Sequence, residues 1–304
     1  EDYRLLIIFE IQLYGQGFFE TMATSLTSPG YVELSEQLKE EYNVNMLNPL
    51  SQDLSVMRQS LLFSGLEAVV YNQNRKRRDL KFFEFGKSYH NYENGRTENK
   101  HLSIFISGNR NTEIWNTPLR KSDFFYLKGL VTAVLARLGI KDLKSSPAKS
   151  DVFSEALAFS SGKTRLVEFG TVSRKILRSF DIVQEVLYAD LNWDAVMEVA
   201  KNQKPGFTPI SKFQAVRRDF ALLLDQTVRF EEIHALALQS ERNLLKEVSL
   251  FDVYEGKNLP EGKKSYAVSF ILQDEQKTLT DKQIDKIMAK LQQSLETKLG
   301  AELR

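Results

Sequence analysis

The residues best suited to binding chemistry lie in two short segments near the end of the chain. Asp252 and Tyr254 are two positions apart in a strand-like segment, so they share one face of that strand, opposite Phe251 and Val253. Ser265 begins a second such segment. A tyrosine ring stacks on any base, and a carboxylate accepts hydrogen bonds from base amino or imino groups. The pattern predicts a platform for unstacked RNA bases; the alternative is an exposed sheet face whose polar residues are incidental.

Other kinds of chemistry find no support in the residue spacing. The three histidines, His90, His101 and His234, lack metal-ligand spacing, and the absence of cysteine excludes zinc thiolate sites, disulfides and thiol nucleophiles. Neither a Ser–His–Asp arrangement nor a phosphate-binding loop can be argued from the spacing. We therefore expect no metal ligand and no catalytic residue in this chain.

The last third of the chain has an element order that would position Asp252 and Tyr254. The predicted elements are a strand at Arg218–Asp225, a helix at Phe230–Ser240, strands at Glu247–Tyr254 and Ser265–Gln273, a helix from a capping box at Thr280–Gln283 to Gly300, and a strand at Ala301–Arg304. This β-α-β-β-α-β order is the ferredoxin-like arrangement. On the third strand, large side chains should pack on the helices and small ones should form the other face: Tyr266, Val268, Phe270 and Leu272 against Ser265, Ala267 and Ser269.

The first 200 residues predict a mixed sheet surrounded by helices, and hence an α+β protein. The predicted helices are a largely buried one at Arg4–Tyr14, one at Leu61–Gln73, one from an N-cap at Ser122 through Leu138 to Gly139, and a short one between the last two strands. The predicted strands are Phe18–Leu26, Val44–Leu50, Leu80–Tyr89, Leu102–Ser107, Leu166–Phe169 and Val186–Leu191, with a polar loop at His90–Thr97. A linker at 201–209, with two prolines and a glycine, separates the predicted domains 1–200 and 210–304.

The composition fits a protein of two globular domains. Its 304 residues are 42% hydrophobic and 27% charged, and 41 basic against 40 acidic residues give a net charge of +1. That balance argues against binding to DNA or a membrane surface through bulk charge. The apolar stretch Leu5–Phe9 is too short to span a bilayer, and the absence of cysteine is compatible with the cytosol. Because the chain opens on Glu1 rather than Met, we expect a piece of a longer protein.

Five segments carry a family resemblance: Ile210–Ala221, Leu250–Gly256, Leu259–Ser265, Thr278–Asp281 and Leu299–Arg304. Together they resemble the ferredoxin-fold anticodon-binding domain of bacterial phenylalanyl-tRNA synthetase β subunits. The resemblance implies that the anticodon of tRNA(Phe) is bound at four positions: Asp252, Tyr254, Ser265 and Arg304.

Further segments are similar to the synthetase-like core of the same subunit: Asn48–Ser51, Ser55–Leu61, Phe82–Gly86, Ser107–Arg110 with Trp115 and Asn116, and Phe125–Gly129. This core resembles a class II catalytic domain, whose chemistry needs an arginine in a Phe-Arg-x-Glu strand to hold the α-phosphate. Here Phe82 occupies that position, and Gly170–Arg174 has too few glycines for the second arginine motif. We therefore predict that Glu84 and Glu168 are structural acids and that the core is catalytically silent.

The resemblance implies a non-catalytic part of phenylalanine–tRNA ligase, a cytoplasmic α2β2 enzyme that joins phenylalanine to tRNA(Phe) with ATP and Mg²⁺ on its α subunit. This fragment would hold no cofactor, and its partners would be tRNA(Phe), the α subunit and a second β subunit. We expect the helix Arg4–Tyr14 and the aromatic strand around Phe82–Phe85 to expose surface for those subunits. The alternatives are a self-sufficient adenylating enzyme and a free-standing ferredoxin-like interaction module. The basic run Arg75–Arg78 is explained by a helix end or a solvated loop more simply than by a tRNA contact.

Overall fold

The chain forms two compact units, Glu1–Pro205 and Gly206–Arg304. The computed structural model describes residues 2–49, 51–203 and 209–304, with the side chains of residues 2 and 3 excepted. Leu50, the predicted end of a strand, and residues 204–208 of the predicted linker lie outside the described residues.

A mixed sheet forms the centre of the first unit. The strands of this unit are β1 (Phe19–Glu20), β2 (Leu26–Thr27), β3 (Val44–Asn45), β4 (Val56–Met57), β5 (Leu80–Tyr92), β6 (Gly95–Ser107), β7 (Lys144–Pro147), β8 (Phe153–Ser161), β9 (Thr164–Val172) and β10 (Val186–Asn192). In the described ranges the larger sheet has the order β1-β5-β6-β10-β9-β8-β7, parallel at β1–β5 and antiparallel elsewhere. A small sheet has the order β2-β4-β3.

Helices cover both faces of the larger sheet. They are α1 (Asp2–Gly15), α2 (Leu62–Gln73), α3 (Phe124–Arg137), α4 (Arg174–Ser179) and α5 (Trp193–Lys201). On one side, which we call the α3 face, side chains from α1, α3 and α5 pack around Phe83 and Ile104. On the other side, which we call the α2 face, α2 and α4 pack against Phe82 and Phe105. Because side chains alternate along a strand, β5 and β6 contribute hydrophobic residues to both cores.

Two helix predictions need correction. The helix predicted at Arg4–Tyr14 is α1, but it is not largely buried: Phe9 and Leu13 face the core, whereas Ile11 is 66% and Tyr14 70% exposed. The N-cap of α3 is Asp123, whose Oδ1 accepts a hydrogen bond from the Tyr126 backbone at 2.8 Å. The predicted cap, Ser122, is buried one residue too early to reach an unpaired N–H of the first turn.

Several strand predictions in the first unit were wrong. The polar loop predicted at His90–Thr97 is the outer part of a hairpin, in which β5 and β6 stay paired up to Tyr92 and Gly95. The strands predicted at Phe18–Leu26 and Val44–Leu50 shrink to two-residue pieces, because the chain there winds through 3₁₀ turns at Pro29–Leu34, Glu40–Tyr42 and Gln52–Leu54. Strands β7 and β8 and helix α5 were not predicted from the sequence.

The second unit has the predicted β-α-β-β-α-β order, which confirms the ferredoxin-like fold. Its elements are β11 (Val216–Asp225), α6 (Phe230–Ser240), β12 (Leu245–Tyr254), β13 (Lys263–Leu272), α7 (Asp281–Leu299) and β14 (Glu302–Leu303). The antiparallel sheet has the order β12-β13-β11-β14. The start of α7 is fixed by Gln283, whose Oε1 accepts from the Thr280 backbone N–H at 3.1 Å. Its end is Gly300, which adopts the left-handed conformation at φ 60°.

Candidate functional site

One face of the second sheet is not packed against the helices of its own unit and is lined by small residues. The helices pack on the face that contains Val268 and Phe270. The opposite side, which we call the open face, includes a row formed by Asp252 and Ala221, both paired with Ala267. The Arg304 N–H donates to the Ala221 carbonyl at 2.9 Å, so Arg304 continues that row on the outer strand. Asp252 and Arg304 thus stand at opposite ends of a ledge built from two alanines.

The neighbouring row contains the other two predicted site residues. Tyr254 pairs with Ser265, and Ser265 pairs in turn with Leu223. The Tyr254 side chain is 39% exposed, whereas Ser265 is only 9% exposed and forms the floor next to it. Gly256 lies against the tyrosine ring, since a β-carbon there would come within 2.5 Å of the ring Cζ. All four predicted site residues therefore share the open face, and their role in binding stays a prediction.

Phe251 also lies on the open face, contrary to the prediction that it would point the other way with Val253. The β12–β13 register shifts between Leu250 and Asp252, which leaves Phe251 as the extra residue of a β-bulge. Its ring is 53% exposed and is covered by the Arg217 guanidinium at 4.9 Å from the ring centroid. A simple alternation pattern cannot reveal such a bulge, so the exposed aromatic ring beside Asp252 was not predicted from the sequence.

The family resemblance matches the phosphate-binding strand of a class II enzyme to a segment of β5 that turns Phe82 and Glu84 toward the α2 face of the first unit. Phe82, at the position of the phosphate-binding arginine, is buried and paired with Phe105. Phe105 in turn fills the space beside Gly65, where a β-carbon would come within 2.0 Å of the ring. At this position the α2 face is therefore occupied by hydrophobic packing and offers no cation to a phosphate group.

A buried ion pair occupies the next positions along β5. The Arg58 guanidinium donates to Glu84 Oε1 at 2.6 Å and to the Lys87 carbonyl at 3.0 Å. A β-carbon on Gly86 would come within 2.4 Å of Arg58 Nη2, so the guanidinium fits only against a glycine. Burial, opposed by Arg58, raises the pKa of the Glu84 carboxyl above its ordinary value. Arg58 and Glu84 are thus a structural pair, and these residues do not fit ATP or Mg²⁺.

A hydrogen-bonded Ser–His–Asp string lies further along the same face. His101 Nδ1 is 2.8 Å from Asp190 Oδ1, and His101 Nε2 is 2.9 Å from the Ser88 hydroxyl. Ser88 is buried, with 1% of its surface exposed, so a substrate cannot reach its oxygen. Burial lowers the pKa of His101, but Asp190 outweighs it and leaves the pKa raised overall. The string is a structural ion pair with a hydroxyl partner rather than a nucleophile.

Glu168 and His90 also interact with neighbouring side chains. Glu168 pairs with Arg165 on β9. His90 stacks on Tyr92, and burial lowers the pKa of its imidazole. The described residues contain no cluster of three or more His, Asp or Glu side chains that could hold a metal ion. Every helix within the described ranges is too short or too polar to cross a lipid bilayer.

The architecture defines a class: a class II synthetase-like core with side chains packed on both faces of its sheet, followed by a ferredoxin-like unit with an open sheet face. The core has the fold of pyrrolysyl-tRNA synthetase from Desulfitobacterium hafniense, with a TM-score of 0.53 at 14% sequence identity over 66% of this chain and 70% of that one. Residues 7–193 match the family of phenylalanyl tRNA synthetase beta chain CLM domains, and 211–304 match the ferredoxin-fold anticodon binding domain family. The chain belongs to the phenylalanyl-tRNA synthetase beta chain family.

Relatives of this chain include the beta subunits of two phenylalanine–tRNA ligases. The phenylalanine–tRNA ligase beta subunit of Bacteroides thetaiotaomicron is 48% identical over 305 residues, which cover 96% of this chain. That of Porphyromonas gingivalis is 44% identical over 99% of this chain. The matched regions are 37% and 38% of those subunits, so the chain spans a little over a third of the length of these curated relatives.

Proposed function

We propose that this chain is a non-catalytic part of a phenylalanine–tRNA ligase β subunit and that its second unit binds the anticodon of tRNA(Phe). The observation that carries the proposal is the open face, on which Asp252, Tyr254 and Arg304 surround a ledge of small residues. This face belongs to the unit that matches the ferredoxin-fold anticodon binding family. Small residues leave room for flat bases, and groups at the edges of the ledge can hold them.

Each side chain would make a different kind of contact. The half-exposed ring of Tyr254 can stack on an unpaired base, and the carboxylate of Asp252 can accept hydrogen bonds from a base edge. Ser265 would line the floor, and Arg304 would contact a base or phosphate from the outer strand. We add Phe251 to this set, because the bulge brings a second exposed ring to the same ledge.

The first unit would act as a scaffold in a cytoplasmic α2β2 enzyme that joins phenylalanine to tRNA(Phe). In that enzyme ATP and Mg²⁺ would be used on the α subunit, since Phe82 and the Arg58–Glu84 pair leave no nucleotide site on the α2 face. The same two features argue against a self-sufficient adenylating enzyme. The family match over 7–193 argues against a free-standing ferredoxin-like module.

The proposal is tested by Tyr254→Ala in the full-length β subunit assembled with its α subunit. Loss of one base stack should cost about 1–3 kcal/mol, or about a 5- to 150-fold loss of tRNA(Phe) affinity. Phenylalanine activation, measured by pyrophosphate exchange, should be unchanged because the ring is not part of the ATP chemistry. Asp252→Ala should weaken discrimination against altered anticodons more than it weakens overall binding, since a base-edge contact specifies the base.

Val253→Ala is the matched control. Val253 lies on the same strand, is also exposed, and pairs with Tyr266 on the helix-packed side of the sheet. This control should bind and charge tRNA(Phe) as the wild type does. If Tyr254→Ala charges tRNA(Phe) and an anticodon-swapped tRNA each as well as the wild type does, the open face does not bind the anticodon.

A further inference from the structure

A cleft in the first unit gathers cationic side chains from three separate segments. Its volume is about 730 Å³, and the cations that line it are Lys76, Arg77 and Arg78 after α2, Lys81 on β5, and Arg110 after β6. The acidic residue in the lining is Asp79, and its carboxylate is already engaged, because Oδ1 accepts from the Asn109 N–H at 2.7 Å. The cleft is therefore strongly positive although the whole chain is almost neutral.

A helix end does not account for these charges. Cations commonly cap the last carbonyls of a helix, and Arg75 does so: its Nη1 donates to the Tyr71 carbonyl at 2.9 Å and its guanidinium lies over the Tyr71 ring. Lys76, Arg77 and Arg78 are exposed, and the described part of the chain gives their side chains no hydrogen-bond or ion-pair partner. Lys76 also adopts a left-handed φ of 65°, a position where glycine would relieve the steric cost.

The other two cations are held in place rather than left free in solvent. Lys81 Nζ donates to the Arg110 carbonyl at 2.8 Å. Both cations also contact the Tyr126 ring, Lys81 Nζ at 5.3 Å and Arg110 Cζ at 4.6 Å from its centroid. Like charges fixed close together repel one another, and an anionic ligand would relieve that repulsion.

We infer that this cleft binds the phosphodiester backbone of RNA. Several cations converging from three segments suit a chain of phosphates, which presents negative charge at regular intervals. A protein partner would instead rely on the apolar part of the lining, chiefly the exposed Phe19 ring, and protein binding is therefore an outcome that the test must separate. The contact is separate from the proposed anticodon site, since it uses different residues in a different unit and carries no base specificity.

The test is binding of a transcribed tRNA by the 304-residue chain over a range of salt concentrations. We expect the double change Arg77→Gln, Arg78→Gln to remove two phosphate contacts and to lower the slope of log affinity against log salt by about 1.4–1.8. The wild-type advantage over this variant should then shrink about tenfold between about 50 and 200 mM salt. The loss should be the same for tRNA with a swapped anticodon, because phosphate contacts are independent of sequence.

Arg75→Gln is the matched control, since it removes one charge of the same basic run outside the cleft. It should leave the slope at the wild-type value, and both variants should keep the wild-type circular dichroism spectrum. The inference is overturned if the double variant keeps the wild-type slope, if Arg75→Gln lowers the slope as much, or if the wild-type chain binds no tRNA at about 50 mM salt. The inference is also overturned if the double variant keeps wild-type binding of tRNA but, in a separate binding experiment, no longer binds the α subunit. Tyr254→Ala in the same assay should lower the affinity for tRNA without changing the salt slope. The proposal for the anticodon site and the inference for the cleft can therefore be refuted separately.

Discussion

The buried Arg58–Glu84 pair makes the first unit depend on pH in a way that can be worked out. Changing Arg58 to Met keeps much of the side-chain volume but leaves the Glu84 carboxylate buried without its cation. Breaking one partner of a buried pair typically costs about 3–5 kcal/mol. For a unit of this size each kcal/mol lowers the melting temperature by about 2–4 °C, so we expect a drop of roughly 6–20 °C at neutral pH.

The sign of the pH dependence follows from the Glu84 carboxyl. Its pKa in the folded protein is raised above the unfolded value of 4.5, so the folded state retains a proton that the unfolded state loses. That contribution to stability is present below pH 4.5 and is lost as the pH rises through the folded pKa. Removing Arg58 takes away the charge that lowers this pKa, so the pKa should rise further. The cost of Arg58→Met should therefore be largest near pH 7.5 and fall to about 1–2 kcal/mol near pH 5, where lost hydrogen bonds remain.

Tryptophan fluorescence gives an assay for this unit alone. The two tryptophans of the chain both lie in the first unit, Trp193 in its core and Trp115 almost fully exposed. In a Trp115→Phe background, urea denaturation followed by Trp193 emission would report unfolding of that core at pH 5 and pH 7.5.

Three control variants isolate the charge effect. Glu84→Gln should remove most of the pH dependence, and the double change with Arg58→Met should be more stable at pH 7.5 than Arg58→Met alone. Lys121→Met, which breaks an exposed pair with Glu185, should cost no more than about 1 kcal/mol. A cost below about 1 kcal/mol for Arg58→Met at pH 7.5, or an equal cost at both pH values, would refute the reasoning.

Three further outcomes follow from the described residues. Pyrophosphate exchange by this chain with phenylalanine and Mg²⁺ should stay at background, and Phe82→Arg should not raise it, because the position is closed by core packing; robust exchange would contradict the silent core. Backbone hydrogen exchange in α1 should slow when the α subunit binds, since Ile11 and Tyr14 expose apolar surface there, and unchanged exchange with binding confirmed would place the interface elsewhere. Because Asp190 keeps the pKa of His101 raised, their pair stabilises the fold below about pH 6.5 and loses that contribution as the pH rises through the folded pKa. In urea denaturation between pH 6 and 8, Asp190→Asn should make the free energy of unfolding depend less on pH.

Local signals in the sequence were enough to predict most of the second unit. The alternation on β13, the capping residues Thr280 and Gln283, and Gly300 each act within a few residues of the element that they define. The bulge at Phe251 was not predictable in this way. An extra residue leaves the alternation of the strand intact on either side, and its position is set by pairing with β13 rather than by its own neighbours.

The first unit was harder to predict because its decisive contacts are far apart in the sequence. The outer hairpin carries polar residues because it extends beyond both cores. Cross-strand hydrogen bonds keep it regular, and the Tyr92 ring packs against Tyr42 and His90. The partners Arg58 and Glu84, and likewise His101 and Asp190, come from different strands or segments, so no local pattern connects them. The aromatic strand at Phe82–Phe85 was expected to expose apolar surface, and that expectation was wrong, because Phe82 and Phe83 face two different cores.

The two sheets differ most in the volume of the side chains on one face, and that difference decides what each can bind. On the α2 face, Phe82 and Phe105 fill the layer between strand and helix, so a nucleotide would have to displace part of the hydrophobic core as well as the Arg58–Glu84 pair. A single substitution cannot reopen such a face, since any cavity it makes is lined by residues that stabilise the fold. On the open face the corresponding layer includes Ala221 and Ala267, and the hydrophobic core of their unit lies on the opposite side of the sheet. Removing side-chain volume from a strand that has no helix above it leaves a flat, accessible surface at little cost in packing. This is the physical reason to propose base binding at the second sheet and to expect no nucleotide site inside the core of the first.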